Sequence, residues 1–175
     1  MIATLSAGDR LEIHELLARY AWSLDTGDEA GFVACFTRDA QLHWDVFDEP
    51  GLWKGSAALQ RFVAYFRSRP ESAGRQHHVT NIVLESTNYG VQAKSYVLVA
   101  LRADDGPHRL NVMGYYEDVV QQEGGHWRIA SRVIRDWSGP VLASIAGQDG
   151  KRRARQRPAA LDGLWATQQG ATSAR

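Results

Sequence analysis

The chain has 175 residues, 44% hydrophobic and 10% aromatic, and its twenty basic side chains balance twenty acidic ones. That length and apolar content suit one domain with a core of its own, and the neutral balance favours neither nucleic acid nor an anionic membrane as partner. The single cysteine, Cys35, excludes an intrachain disulfide and fits a reducing compartment. No basic stretch leading into an apolar core opens the sequence, so no signal peptide is expected. No apolar run approaches the roughly 20 residues of a membrane span. A cytoplasmic protein is the expectation.

Residues 6 to 26 read as a helix. Ser6 and Asp9 form a capping box, and Ile13, Leu16, Leu17, Tyr20 and Leu24 repeat at helical spacing. Thr26-Gly27 ends it. Asp28 caps a second, short helix that buries Phe32 and Phe36, with Cys35 as an inert core thiol. Thr37-Arg38-Asp39 breaks the pattern. Gln41 to Phe47 alternates as a strand with Leu42, Trp44 and Val46 on one face. Ser56 caps a third helix with Leu59, Phe62, Val63 and Phe66 inward. The period then changes to two. Residues 76–85, 91–102, 109–120 and 126–137 are strand candidates, punctuated by turns at Tyr89-Gly90, Asp104-Asp105-Gly106 and Glu123-Gly124-Gly125. Strands joined this tightly are antiparallel, and helices followed by a meander define an α+β class. A strongly bent sheet over the helices leaves a cone with an open mouth. Residues 1–140 form the expected domain. Residues 141–175 form a tail, with the basic run Lys151–Arg157 solvated and Leu161, Leu164 and Trp165 able to dock on the domain or a neighbouring subunit.

The chemistry-bearing residues are few. Tyr20 lies on the apolar stripe of the first helix, and Asp25 stands at that helix's C-terminal end, where the dipole disfavours a carboxylate. Asp25 is either a turn residue or hangs into a cavity to orient a histidine. In the second case it holds the imidazole in one tautomer and stabilises the imidazolium as it forms. His77 and His78 are adjacent on a strand and point to opposite faces. His77 shares a face with Val79, Asn81 and Val83; His78 shares the other with Thr80, Ile82 and Leu84. Periodicity leaves the choice open. Arg132 and Arg135 also take opposite faces, and an inward guanidinium can stabilise an enolate or a leaving oxygen. Trp22, Trp44, Tyr115 and Trp137, with Asn81, are candidate substrate contacts that suit a flat aromatic or polycyclic ligand. No zinc-type ligand set, phosphate-binding glycine fingerprint or Gly-x-Ser-x-Gly elbow occurs, so no cofactor and no metal are expected.

Ile13-His14-Glu15-Leu16-Leu17-Ala18-Arg19-Tyr20, Leu24-Asp25-Thr26-Gly27-Asp28, Phe36-Thr37-Arg38-Asp39-Ala40, the helix start at Gly55, His77-His78-Val79-Thr80-Asn81, Gly114-Tyr115-Tyr116-Glu117-Asp118 and Trp127-Arg128-Ile129 together resemble the SnoaL-like branch of the nuclear transport factor 2-like superfamily. The resemblance runs over roughly residues 6 to 138. It implies three helices wrapped by a strongly curved antiparallel sheet, assembled as a homodimer or homotrimer. Members of this branch include scytalone dehydratase, bile-acid 7α-dehydratase and hexachlorocyclohexane dehydrochlorinase, lyases that use an aspartate–histidine pair with a tyrosine and an arginine. Matched motif by motif, they imply Tyr20, Asp25 and His77; one relative points to Arg135 and another to Arg132. The implied function is a cofactor-independent lyase, by dehydration or retro-aldol cleavage, acting on a small aromatic or polycyclic hydroxylated compound. The alternatives are a non-catalytic β subunit of a ring-hydroxylating dioxygenase and a cofactor-free isomerase or cyclase.

Overall fold

The computed structural model describes residues 4–169. Helix α1 (Ala7–Thr26) begins at the capping box, where the Ser6 side chain accepts from the Asp9 amide and the Asp9 carboxylate accepts from the Ser6 amide. Asp9 also accepts from the Trp127 indole at 2.9 Å, which pins the start of the helix to the far sheet. The helix ends on Gly27 at φ 71°, a left-handed cap that a side chain would strain. Asp28 caps the short α2 (Glu29–Ala34) by accepting from the Gly31 amide at 2.9 Å. Cys35 closes that helix and is buried, with its thiol pushed up to about 11, mainly by burial.

Strand β1 (Phe36–Asp45) starts earlier than the alternation suggests: Thr37-Arg38-Asp39 belongs to it, and its register shifts between Phe36 and Gln41. A four-residue strand, β2 (Gly51–Lys54), was not apparent in the sequence pattern, although it buries Trp53. Helix α3 (Ser56–Arg67) is capped by Gly55 and not by Ser56, whose hydroxyl reaches back to the Arg38 carbonyl. Leu59, Phe62, Val63 and Phe66 are all buried on its inner face. The four long strands follow as β3 (Arg75–Thr87), β4 (Gly90–Leu101), β5 (Arg109–Glu123) and β6 (His126–Asp136).

All six strands form one curved, unclosed sheet in the order β2-β1-β6-β5-β4-β3. The expectation of a wholly antiparallel sheet needs one amendment, because β1 runs parallel to β6. Hairpin turns fix the direction of consecutive strands, and β1 and β6 are joined instead by most of the chain. Helix α1 lies across the concave face, and Ile13, Leu16, Leu17 and Tyr20 are buried there with Phe32, Phe36, Leu42 and Ile129. Burying a side chain of this kind is worth roughly 1.5–3 kcal/mol, so this seam fixes where the end of α1 sits.

The segment after β6 returns to the domain. Arg155 pairs backbone to backbone with Val46 and Asp48. A short 3₁₀ turn (Ala159–Leu161) leads into α4 (Asp162–Gln169), which delivers Trp165 against Trp44, Phe47 and Trp53 with ring centroids 5.8, 5.9 and 5.0 Å apart. Gly51 makes room for this cluster: a Cβ there would lie 2.4 Å from the Trp53 ring and 2.7 Å from Trp165. Residues 170–175 of the tail lie outside the described residues. Among the described residues, no helix is long and apolar enough to cross a membrane.

Candidate active site

A cavity of about 830 Å³ opens between the end of α1, α3, the concave face of the sheet and the returning C-terminal segment. Its wall is mostly apolar and aromatic, with Trp44, Phe62, Phe66, Val97, Val99 and Ile134 among the lining residues. Tyr20, Asp25, His77 and Tyr116 supply the polar groups of its inner part.

Asp25 and His77 meet there. One carboxylate oxygen of Asp25 lies 2.5 Å from His77 Nδ1, and the other accepts from the His77 backbone amide at 2.7 Å. The side chains are 13% and 10% exposed, so the contact is shielded. The two lie 52 positions apart in the chain, and the helix end and the strand start are brought together by the packing of α1 on β3. Two N–H donors on one carboxylate offset the unfavourable helix dipole at Asp25. The arrangement fixes a tautomer: with Nδ1–H donating to Asp25, Nε2 is left bare as a proton acceptor. His78 points to solvent, opposite Leu98 on β4.

The strand itself explains why parity could not be followed along its length. Asn81 sits in the left-handed region at φ 53°, and the register with β4 shifts between Thr80 and Val83. This is a β-bulge, and it exchanges the faces. His77 and Val79 are inward before it; Ile82 and Leu84 are inward after it. Asn81 is therefore an exposed bulge residue and not a substrate contact.

Tyr20 is fully buried, and its hydroxyl meets no hydrogen-bond partner among the described residues. Its ring lies against Phe32, Phe36 and Tyr116. Behind it stands Arg132, with zero exposure. The Arg132 guanidinium is sandwiched between the rings of Tyr20 and Tyr116, at 3.9 and 4.2 Å from their centroids. It also donates from Nε and Nη2 to the two oxygens of Asp118 at 2.8 and 2.6 Å. Burial opposes the charge on Arg132, but Asp118 outweighs it and holds the guanidinium charged. Burial likewise pushes the Asp118 carboxyl up against the pull of Arg132; with two charge-assisted bonds at this geometry the pair is ionised. Burial raises the Tyr20 phenol, with the Arg132 charge opposing, so Tyr20 keeps its proton at neutral pH.

The other expected site residues are distributed on both sides of the sheet. Trp44 lines the cavity. Arg132 supports the wall from behind and does not line it. Arg135 faces away: Ile134 takes the inward position, so its neighbour turns outward and bonds Glu117 at 2.6 Å and, more closely, Asp45. Tyr115 is displaced in the same way by Tyr116 and packs on the outer face with Trp137 and Tyr96. Trp137 is thus an outer-face residue as well. Trp22 lies on the solvent side of α1, 72% exposed, two positions beyond the inward Tyr20. Tyr116, Phe62, Phe66 and Asn111 also belong to the cavity wall, beyond the substrate contacts expected from the sequence. The helical stripe that marks Phe62 and Phe66 as core was the available signal for two of them. Among the described residues, no group of three or more His, Cys, Asp or Glu side chains is placed to hold a metal ion.

Three helices held in a curved sheet around a cavity define the cystatin-like, or nuclear transport factor 2-like, fold, and solved structures bear this out. A protein of unknown function with a cystatin-like fold from Nostoc punctiforme is 28% identical, covers 80% of this chain and 100% of its own, and has a TM-score of 0.67. A protein of unknown function from Mycobacterium tuberculosis covers 95% of both chains at 23% identity and a TM-score of 0.66. A scytalone dehydratase candidate from Novosphingobium aromaticivorans covers 74% of this chain and 84% of its own at 20% identity and a TM-score of 0.61. Residues 6–133 match the SnoaL-like domain, and the chain belongs to that family. No curated protein matches it.

Proposed function

We propose that the protein is a cofactor-independent lyase that eliminates water from a small aromatic or polycyclic hydroxylated compound. The observation that carries this is the shielded contact of Asp25 with His77 on the wall of a largely apolar cavity that Tyr20 also lines. In the reaction, His77 Nε2 takes a proton from the carbon next to an activating carbonyl. The electron pair forms a carbon–carbon double bond, the carbon–oxygen bond breaks, and the hydroxyl leaves as water with a proton from Tyr20. Asp25 orients the imidazole and places its negative charge beside the ring that gains a positive one. The likeness to a scytalone dehydratase candidate supports the reading at the level of fold.

Hydroxylated bicyclic ketones incubated with the protein in deuterated water test this by NMR and mass spectrometry. Elimination, with exchange of the proton next to the carbonyl, is expected for the wild type. Exchange is lost in His77→Ala, while Tyr20→Phe retains exchange and loses elimination. Exchange without loss of water in the wild type would mark an isomerase or cyclase instead. Absence of both across the panel, or undiminished rates in His77→Ala, would remove the proposal.

A further inference from the structure

The charge on the cavity wall is lopsided. Among the described side chains, Arg67, Arg69, Arg75 and Arg155 line it against a single carboxylate, Asp25, which is engaged by His77. Two of these arginines are neutralised from outside the cavity. Arg67 reaches Glu29 at 3.0 Å, and Arg155 reaches Asp136 at 2.5 Å. Arg75 lies over the Phe66 ring. Arg69 differs: it forms no ion pair with a described carboxylate, although it is shielded from solvent on part of its surface. Its guanidinium lies 4.6 Å over the Tyr65 ring and donates to the Tyr65 hydroxyl at 2.8 Å. Tyr65 in turn donates to the carbonyl of Ala160, so the strap formed by the returning C-terminal segment holds Tyr65, and through it Arg69, in place. A guanidinium has five N–H donors, and one bond to Tyr65 leaves a fork for a further acceptor.

We propose that the substrate is an organic monoanion, an aromatic or polycyclic carboxylate whose head group is bound by Arg69 while its ring system occupies the apolar part of the cavity. The inference rests on the cavity being the substrate site, as argued above. The Arg69 guanidinium, which pairs with no described carboxylate, offers its fork to the negative charge of a head group. The planar fork suits a carboxylate in two-point contact.

The full-length protein is titrated by calorimetry with 2-naphthoate, with its neutral counterpart 2-naphthamide and with the dianion 2-naphthyl phosphate. A charge-assisted contact of this kind predicts that the acid binds roughly ten- to a hundredfold tighter than the amide, and that the phosphate binds no tighter than the acid. Arg69→Gln brings the acid down to the affinity of the amide and leaves amide binding unchanged, which also shows that the cavity is intact. Arg69→Lys retains part of the preference. Equal affinity of acid and amide for the wild type, failure of both to bind, a preference that survives Arg69→Gln, or much tighter binding of the phosphate would each overturn the proposal. The preference for the acid persists in His77→Ala. A wild type that prefers the acid but transfers no proton therefore leaves the anion site standing and removes the lyase.

Discussion

Asparagine at position 25 keeps the shape of the side chain and replaces one of its two acceptor oxygens by a donor. In the native protein both oxygens accept, one from the His77 backbone amide at 2.7 Å and one from Nδ1 at 2.5 Å. The backbone amide is fixed by the strand, so the asparagine carbonyl turns towards it. The asparagine NH₂ then faces Nδ1, which must become an acceptor. The ring proton moves to Nε2, and the nitrogen that takes the substrate proton in the proposed reaction is blocked. Restoring the original tautomer would set two donors against each other at roughly 1–3 kcal/mol, and the charge-assisted bond to the ring is lost as well, at roughly 1.5–3 kcal/mol. Together these raise the barrier by about 2.5–6 kcal/mol, or roughly seventyfold to twenty-five-thousandfold in turnover. Nitrogen-15 NMR of the histidine rings reads the tautomer without any substrate, and exchange of the substrate proton reads the rate. An Asp25→Asn protein with native folding, Nε2 still unprotonated and exchange within about threefold of wild type would refute this account of how Asp25 acts.

Three further outcomes follow from the geometry. Arg132→Met alone leaves Asp118 buried and unpaired and should destabilise the fold by about 3–5 kcal/mol, whereas Arg132→Met combined with Asp118→Leu should recover most of that loss in denaturant unfolding. Burial raises the Tyr20, Tyr115 and Tyr116 phenols above their ordinary value of 10.0. The folded state then holds protons that the unfolded chain releases, so the stability is complete below about pH 10 and falls as pH rises through the folded values. Part of the phenolate absorbance should therefore appear only as the fold is lost. At the bulge, Asn81→Gly should be tolerated, while Asn81→Val should cost roughly 1–2 kcal/mol in thermal unfolding because a branched side chain resists positive φ.

The sequence revealed the elements more readily than their phases. The capping box, the hairpin turns and the inward stripe of α3 rest on local chemistry, and each stands where the spacing suggests. The Asp25–His77 contact was legible through the motif and the poor electrostatics of a carboxylate at a helix end. What failed was parity, wherever a bulge or a doubled aromatic intervened. The bulge at Asn81 puts Ile82 and Leu84 on the face of His77. Counting back from the Glu123–His126 turn, Val120 pairs with Ile129, but a shift follows and brings Asp118 opposite Arg132 in place of Ser131. Without that shift the buried ion pair cannot be read from the hairpin. Tyr115 and Tyr116 are chemically alike, so local pattern does not say which turns inward. β2 is too short to display a period, and the partner of β1 is decided by closure of the whole sheet.

The SnoaL-like match ends at residue 133, yet Arg155, Gln156, Pro158, Ala160 and Leu161 line the cavity. The Asp25–His77 pair and the outer wall of the chamber thus come from separate stretches of chain. Exchanging residues 155–161 for another sequence that fits beside Trp44 would resize the vessel and leave the Asp25–His77 contact untouched. If the cavity binds substrate as proposed, its selectivity is a detachable trait, free to drift at a different pace from the Asp25–His77 pair.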